Sequence, residues 1–92
     1  MEYYFQIKDN VNRNYYNGRN INGIVWTNDI GKRYNNISCC HNDAISILKH
    51  SIGMPSVIII KRYKVNTKWF ENVLKVVKLH EQNKNKLQFN IF

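Results

Sequence analysis

The sequence predicts an α+β fold: a small antiparallel sheet of four to five strands with one or two helices packed on one face. Three observations point to it. The first third alternates apolar and polar residues with period two, punctuated by Asn- and Gly-containing turns. Residues 38–53 change to helical spacing, and Ser56–Val65 is a β-branched run that follows turn residues. At 92 residues and 43% hydrophobic, the chain forms one domain over 1–92 with enough apolar content for a core.

Glu2–Lys8 opens as a half-buried strand, with Tyr3, Phe5 and Ile7 on one face and Tyr4, Gln6 and Lys8 on the other. Asp9-Asn10 begins a polar turn or loop. Tyr15-Tyr16 makes a short strand before Asn17-Gly18, a strong hairpin signal. Gly23–Thr27 is the next strand, closed by Asn28-Asp29. The first third therefore reads as an antiparallel meander.

The 38–53 segment places Ala44, Ile47 or Leu48, and Ser51 or Ile52 on one helical face, with Ser46 and Lys49 outward. Ser38 or Asn42 can cap its start, Gly53 sits where a left-handed C-terminal residue belongs, and Pro55 stops continuation. Ser56–Val65 begins buried and turns polar at Lys61-Arg62-Tyr63-Lys64. Thr67–Gln82 has two readings. As a helix capped by Thr67, it puts Lys68, Glu71, Asn72, Lys75, Lys78 and Gln82 opposite Trp69, Phe70, Val73, Leu74, Val76 and Val77, with Glu71–Lys75 as an i,i+4 pair. As a strand over Val73–His80, each face mixes apolar and charged groups. Periodicity favours the helix; the valines favour the strand. Asn83–Lys86 reads as a loop, and Leu87, Phe89 and Ile91 as a last edge strand or a frayed tail within 83–92.

Charge is unevenly spread. Residues 1–46 carry a net +1 and residues 47–92 a net +7. Codon bias towards AT accounts for much of the Asn and Ile excess, because Phe, Tyr, Met, Ile, Asn and Lys make up 49 of the 92 residues. It does not account for the loss of acids, since Glu is also coded by largely AT-rich codons and occurs three times. A half this basic attracts phosphate, other polyanions or an acidic protein surface.

Chemical motifs are sparse. Cys39-Cys40-His41, even with His50 and His80, lacks the paired spacing of a zinc site, and no oxyanion donor or orienting partner completes a Cys–His nucleophile pair. Adjacent cysteines make a strained disulfide. There is no phosphate-binding loop, and the carboxylates have no acid–base spacing. No enzyme, metal or cofactor is therefore expected. The longest apolar run, Val57–Ile60, is far short of a membrane span, and Met1–Tyr4 lacks the features of a signal peptide, so a cytoplasmic protein is expected.

The block Trp26-Thr27-Asn28-Asp29-Ile30, followed by Tyr34 and Asp43-Ala44, resembles a pattern in small phage and mobile-element proteins: strand, W-T-x-D-I turn, aromatic residue, then a helix opening with an acidic-Ala pair. The match spans about residues 3–50 and departs from the pattern at Cys39-Cys40-His41. The resemblance implies a phage-type protein acting in a host cytoplasm. Small proteins of this origin without enzymatic motifs are often inhibitors of host defence, with anti-CRISPR proteins the obvious class. The expected partner is then a host defence protein or ribonucleoprotein, such as a Cas effector. The expected contact surface is Lys61, Arg62, Tyr63, Lys64, Lys68, Lys75 and Lys78, basic residues interleaved with aromatics that also suit RNA or DNA. The competing class is a sequence-tolerant nucleic-acid-binding protein. The bland reading makes these cations a solvated face, with Tyr63 and Trp69 in the core.

Overall fold

A computed structural model describes residues 2–51 and 53–78. Five strands and one helix follow in the order β1 (Tyr3–Asp9), β2 (Tyr15–Asn20), β3 (Gly23–Thr27), α1 (Ile37–His50), β4 (Val57–Val65) and β5 (Lys68–Val77). They form one antiparallel sheet ordered β3-β2-β1-β4-β5. The expected loop at Asn83–Lys86 and the strand or tail at 87–92 lie outside the described residues.

The meander is as expected, but its turn is not at Asn17-Gly18. Tyr16 pairs with Trp26 and Arg19 with Ile24, so β2 carries one extra residue at that point. Gly18 has φ +89, and the pair makes a bulge inside β2. The turn is Ile21-Asn22, closed by the Asn20–Gly23 pair with Gly23 at φ +115. Asn-Gly supplies the left-handed backbone that both a hairpin turn and a bulge need, so the dipeptide alone cannot separate them.

The helix starts one residue before Ser38. Its N-cap is Asn36, in extended backbone, whose side chain accepts hydrogen bonds from the Ser38 and Cys39 amides. Neither Ser38 nor Asn42 fills that position. At the far end Lys49 and His50 occupy the last turn, which suits the negative end of the helix dipole, and Gly53 follows at φ +86.

A larger correction concerns Lys68–Val77, which is strand β5 and not a helix. Asn66 takes a left-handed φ of 59°, and Asn66-Thr67 closes a tight β4–β5 hairpin that pairs Val65 with Lys68. Thr67 is therefore a turn residue rather than a helix cap. The Ile59–Lys75 pair is followed by Ile60–Val73, so β5 too is bulged, at Leu74. That extra residue shifts the side-chain alternation midway along the strand. Phe70, Asn72, Lys75 and Val77 thus share one face, an order that period-two reading misses.

Buried Cys40, Ala44, Ile47 and Leu48 of α1 join Ile7, Tyr16, Tyr34, Val57, Ile59 and Val77 in one apolar cluster. The sheet members sit at register positions that share a face, since Ile7 pairs with Ile59 and Val57 with Val77. The opposite face is also covered: Tyr4, Gln6, Ile58 and Ile60 are buried. Long side chains and a loop provide that second layer. Lys8 Nζ lies 3.2 Å from Glu71 Oε2, the Tyr15 hydroxyl donates to Glu71 Oε1 at 2.9 Å, and Gln6 Nε2 donates to the Gly31 carbonyl at 3.3 Å. β1 is therefore buried on both faces rather than half-buried as its alternation suggests, and Tyr3 at its start is 49% exposed.

Candidate functional site

Strand geometry divides the expected basic surface. Successive residues of β4 point to opposite faces, so Lys61 and Tyr63 project on the side of Ile59 while Arg62 and Lys64 project on the side of Ile60. Lys68 opens β5 opposite Val65 and so stands, by register, on the Lys61 face. Lys75 pairs with Ile59 at the other end of β5, roughly 23 Å from Lys68 at ~3.3 Å per residue, and Lys78 follows the strand. The seven residues lie along one hairpin rather than in one patch.

On the Lys61 face the cation meets aromatic rings. Lys61 Nζ lies 4.5 Å from the centre of the Tyr3 ring, and Tyr3 meets Phe5 edge-on at 5.7 Å. Tyr63, paired with Tyr3 across β1–β4, stacks on Phe70 at 5.7 Å. Tyr3 and Phe70 keep much of their surface in solvent. The strip offers aromatic surface beside a positive charge.

The Arg62 face is built differently. Tyr4 is buried, with the Arg33 guanidinium 4.6 Å from its ring centre and Trp69 5.4 Å from it. Lys64 is the cross-strand partner of Trp69, and its amide donates to the Glu2 carbonyl at 3.0 Å. Arg62 lies between Tyr4 and Glu71 in the ladder, and its Nε is buried without a hydrogen-bond partner. Trp69 is 38% exposed, more open than the core position the bland reading gave it.

Glu71 is the one acid on the hairpin, and it does not pair with Lys75. It is held by Lys8 and Tyr15 on the Arg62 face of the sheet, opposite to the face of Lys75. The hairpin therefore carries Lys61, Arg62, Lys64, Lys68 and Lys75 against a single carboxylate whose charge is already matched.

Sequence reasoning missed Tyr3, Phe5, Arg33 and Phe70 as neighbours of these cations. Register brings Tyr3 and Phe5 beside them, and a contact across the fold brings Arg33. Phe70 follows from the hairpin register. The usable signal was the Val65-Asn66-Thr67-Lys68 turn: read as a hairpin, it sets Tyr63 opposite Phe70.

The pattern residues from Trp26 onward do structural work elsewhere. Thr27 Oγ1 accepts from the Asp29 amide and Asp29 Oδ1 from the Ile30 amide. The Tyr34 hydroxyl donates to Asp43 Oδ2 at 2.6 Å, which ties the loop to α1, and burial followed by this bond pushes the phenol well above its ordinary range. Burial, then the nearby Asp43 charge, pushes the Cys40 thiol up to about 12, whereas Cys39 is exposed. Among the described residues no group of three His, Cys, Asp or Glu could hold a metal ion, and no helix is long and apolar enough to cross a membrane. An open groove between the β2–β3 hairpin and the end of α1, lined by Arg19, Trp26, His50 and Met54, contains none of the seven expected residues. No family model, curated protein or solved structure matches the chain.

Proposed function

We propose that this chain is a non-enzymatic, phage-type inhibitor that binds a host defence complex, a CRISPR-Cas nuclease being the fitting class, through its β4–β5 hairpin in the host cytoplasm. The observation that carries the reading is the hairpin itself: five cations spread along its two faces, exposed Trp69 and Phe70 near its turn, and its one acid already neutralised by Lys8. Inhibition by occupation needs a surface and no reacting group. The chain has such a surface.

The test is phage plating on a host with active CRISPR immunity, with and without the expressed chain. Plating of a targeted phage should rise with the chain and stay low with the triple variant Lys61→Glu, Arg62→Glu, Lys64→Glu. Unchanged plating removes the CRISPR assignment. A host lysate that yields no retained protein removes the inhibitor reading as a whole.

A second reading, sequence-tolerant nucleic-acid binding, is favoured by the strip of Tyr3, Lys61, Tyr63 and Phe70, which suits base stacking beside a phosphate contact. It requires affinity for bare RNA or DNA that falls steeply with salt, by ~0.7–0.9 log units per log unit of salt for each phosphate neutralised.

A further inference from the structure

We infer that the outer edge of β5 is a docking edge for an extended, acidic polypeptide segment of the partner, which adds to the sheet as a further strand. The inference rests on the proposed inhibitor role and names how the partner is held.

The backbone fixes which groups are offered. The Lys64 amide points to β1, because it donates to the Glu2 carbonyl, so the amides of Lys61, Tyr63 and Val65 point to β5. Their partners Asn72, Phe70 and Lys68 are then the residues bonded into the hairpin. Trp69, Glu71 and Val73 consequently turn their N–H and C=O groups outward. Among the described residues no strand pairs with that edge. Proteins ordinarily blunt a long edge with proline, brevity, lysines, bulges or an inward charge. Here Lys68, Lys75 and the bulge at Leu74 stand at the two ends of the unbulged Trp69–Val73 stretch and leave that stretch open. β5 is ten residues long, contains no proline and leaves Trp69, Phe70, Val73, Leu74 and Val76 exposed along it.

Charge selects the occupant. Lys68 and Lys75 flank the apolar stretch, Lys64 stands beside Trp69, and Glu71 is engaged by Lys8 and Tyr15. A strand with apolar residues opposite Trp69, Phe70 and Val73 and carboxylates near Lys68 and Lys75 satisfies both features. A second copy would bring the same uncompensated lysines together, which costs free energy. Nucleic acid has no row of alternating donors and acceptors to match a strand edge.

Amide exchange on the full chain tests this, with a capped eight-residue peptide alternating valine and glutamate as the probe. In dilute solution the Trp69, Glu71 and Val73 amides should exchange fast, while Phe70 and Asn72 are protected. Saturating peptide should slow the three outward amides by about tenfold or more, a shift of about 1.4 kcal/mol. Val73→Pro should abolish the effect, because it removes an outward amide and no hairpin bond. Lys68→Glu with Lys75→Glu, which leaves the backbone intact, should weaken the peptide equally. Protection already present in dilute chain means the edge is occupied by the chain's own remainder, and overturns the inference. Concentration-dependent protection means a second copy, and also overturns it. So does equal protection by a single-stranded oligonucleotide, or peptide binding that leaves the three amides fast. If Val73→Pro folds and still retains the lysate partner, the docking edge is wrong while the inhibitor reading stands. If the unmodified chain retains no partner, it is the inhibitor reading that fails.

Discussion

At the scale of single residues, several positions are fixed by contacts that leave no freedom. A Cβ at Gly31 would collide with the Tyr16 carbonyl oxygen and press on Tyr15 Cβ at 2.9 Å, where the loop crosses β2. Because the opposing atom is backbone, Gly31→Ala should destabilise by about 2–3 kcal/mol in urea unfolding. The two cysteines differ for a similar reason. Cys40 is buried with its thiol pushed up to about 12, so one equivalent of thiol reagent should label the native chain at Cys39, and a second only after unfolding. Labelling of Cys40 at the rate of Cys39 in the native chain would contradict this packing.

The same thiol predicts a pH dependence. Raised folded values mean that the native chain keeps protons the unfolded chain releases, so stability falls as pH rises. The fall should begin near the ordinary thiol value and reach a slope of about 1.4 kcal/mol per pH unit, with Tyr34 adding its own above the ordinary phenol range. Below about pH 8 neither group contributes. Urea unfolding between pH 7.5 and 10.5 measures the trend, and Cys40→Ala should flatten its first part.

At the scale of elements, two ends carry testable energies. Asn36→Ala removes the acceptor for two amides of α1 and should cost about 1 kcal/mol. Asn66→Ala places a Cβ-bearing residue with no local hydrogen-bonding side chain at φ 59° in the β4–β5 turn. That should cost about 1 kcal/mol, and Asn66→Gly should cost less. Thermal or urea unfolding of the three variants separates these two contributions. Elements were also where sequence reasoning succeeded and failed most clearly. Tyr3–Asp9, Gly23–Thr27 and Val57–Val65 were legible because alternation or β-branching runs through them unbroken. β5 was not legible, because its bulge at Leu74 breaks the alternation and leaves Trp69, Phe70, Val73 and Val77 at spacings that also fit a helix. Asn17-Gly18 reads locally as a turn, because the left-handed conformation it announces is shared with a bulge.

At the scale of the molecule, charge and topology meet. Val57–Val77, which carries much of the basic half, becomes a hairpin on one side of the sheet, joined to β1 through β4. The one acid on β5, Glu71, sits by register on the Arg62 face, where Lys8 pairs with it. Reversing Lys61, Arg62 and Lys64 together should therefore change binding and leave the fold standing, since none of the three head groups forms an ion pair among the described residues. Far-UV circular dichroism and capture of the partner, measured on the same sample, check both halves of that statement. An unfolded triple variant would show instead that the buried part of Arg62 belongs to the core.

The sequence alone determined the α+β class, the strands with continuous patterning, the helix ending before Pro55 and the excess of positive charge beyond residue 46. Each is a property of neighbouring residues and needs no partner to be read. The tertiary structure decided the rest: that Lys68–Val77 pairs with β4, that the basic run is split between two faces, and that Glu71 answers Lys8 rather than Lys75. Those outcomes depend on register and on bulges, where one extra residue reverses every side chain that follows. Side-chain direction in a sheet is set by the pairing of distant strands, and no local pattern contains it.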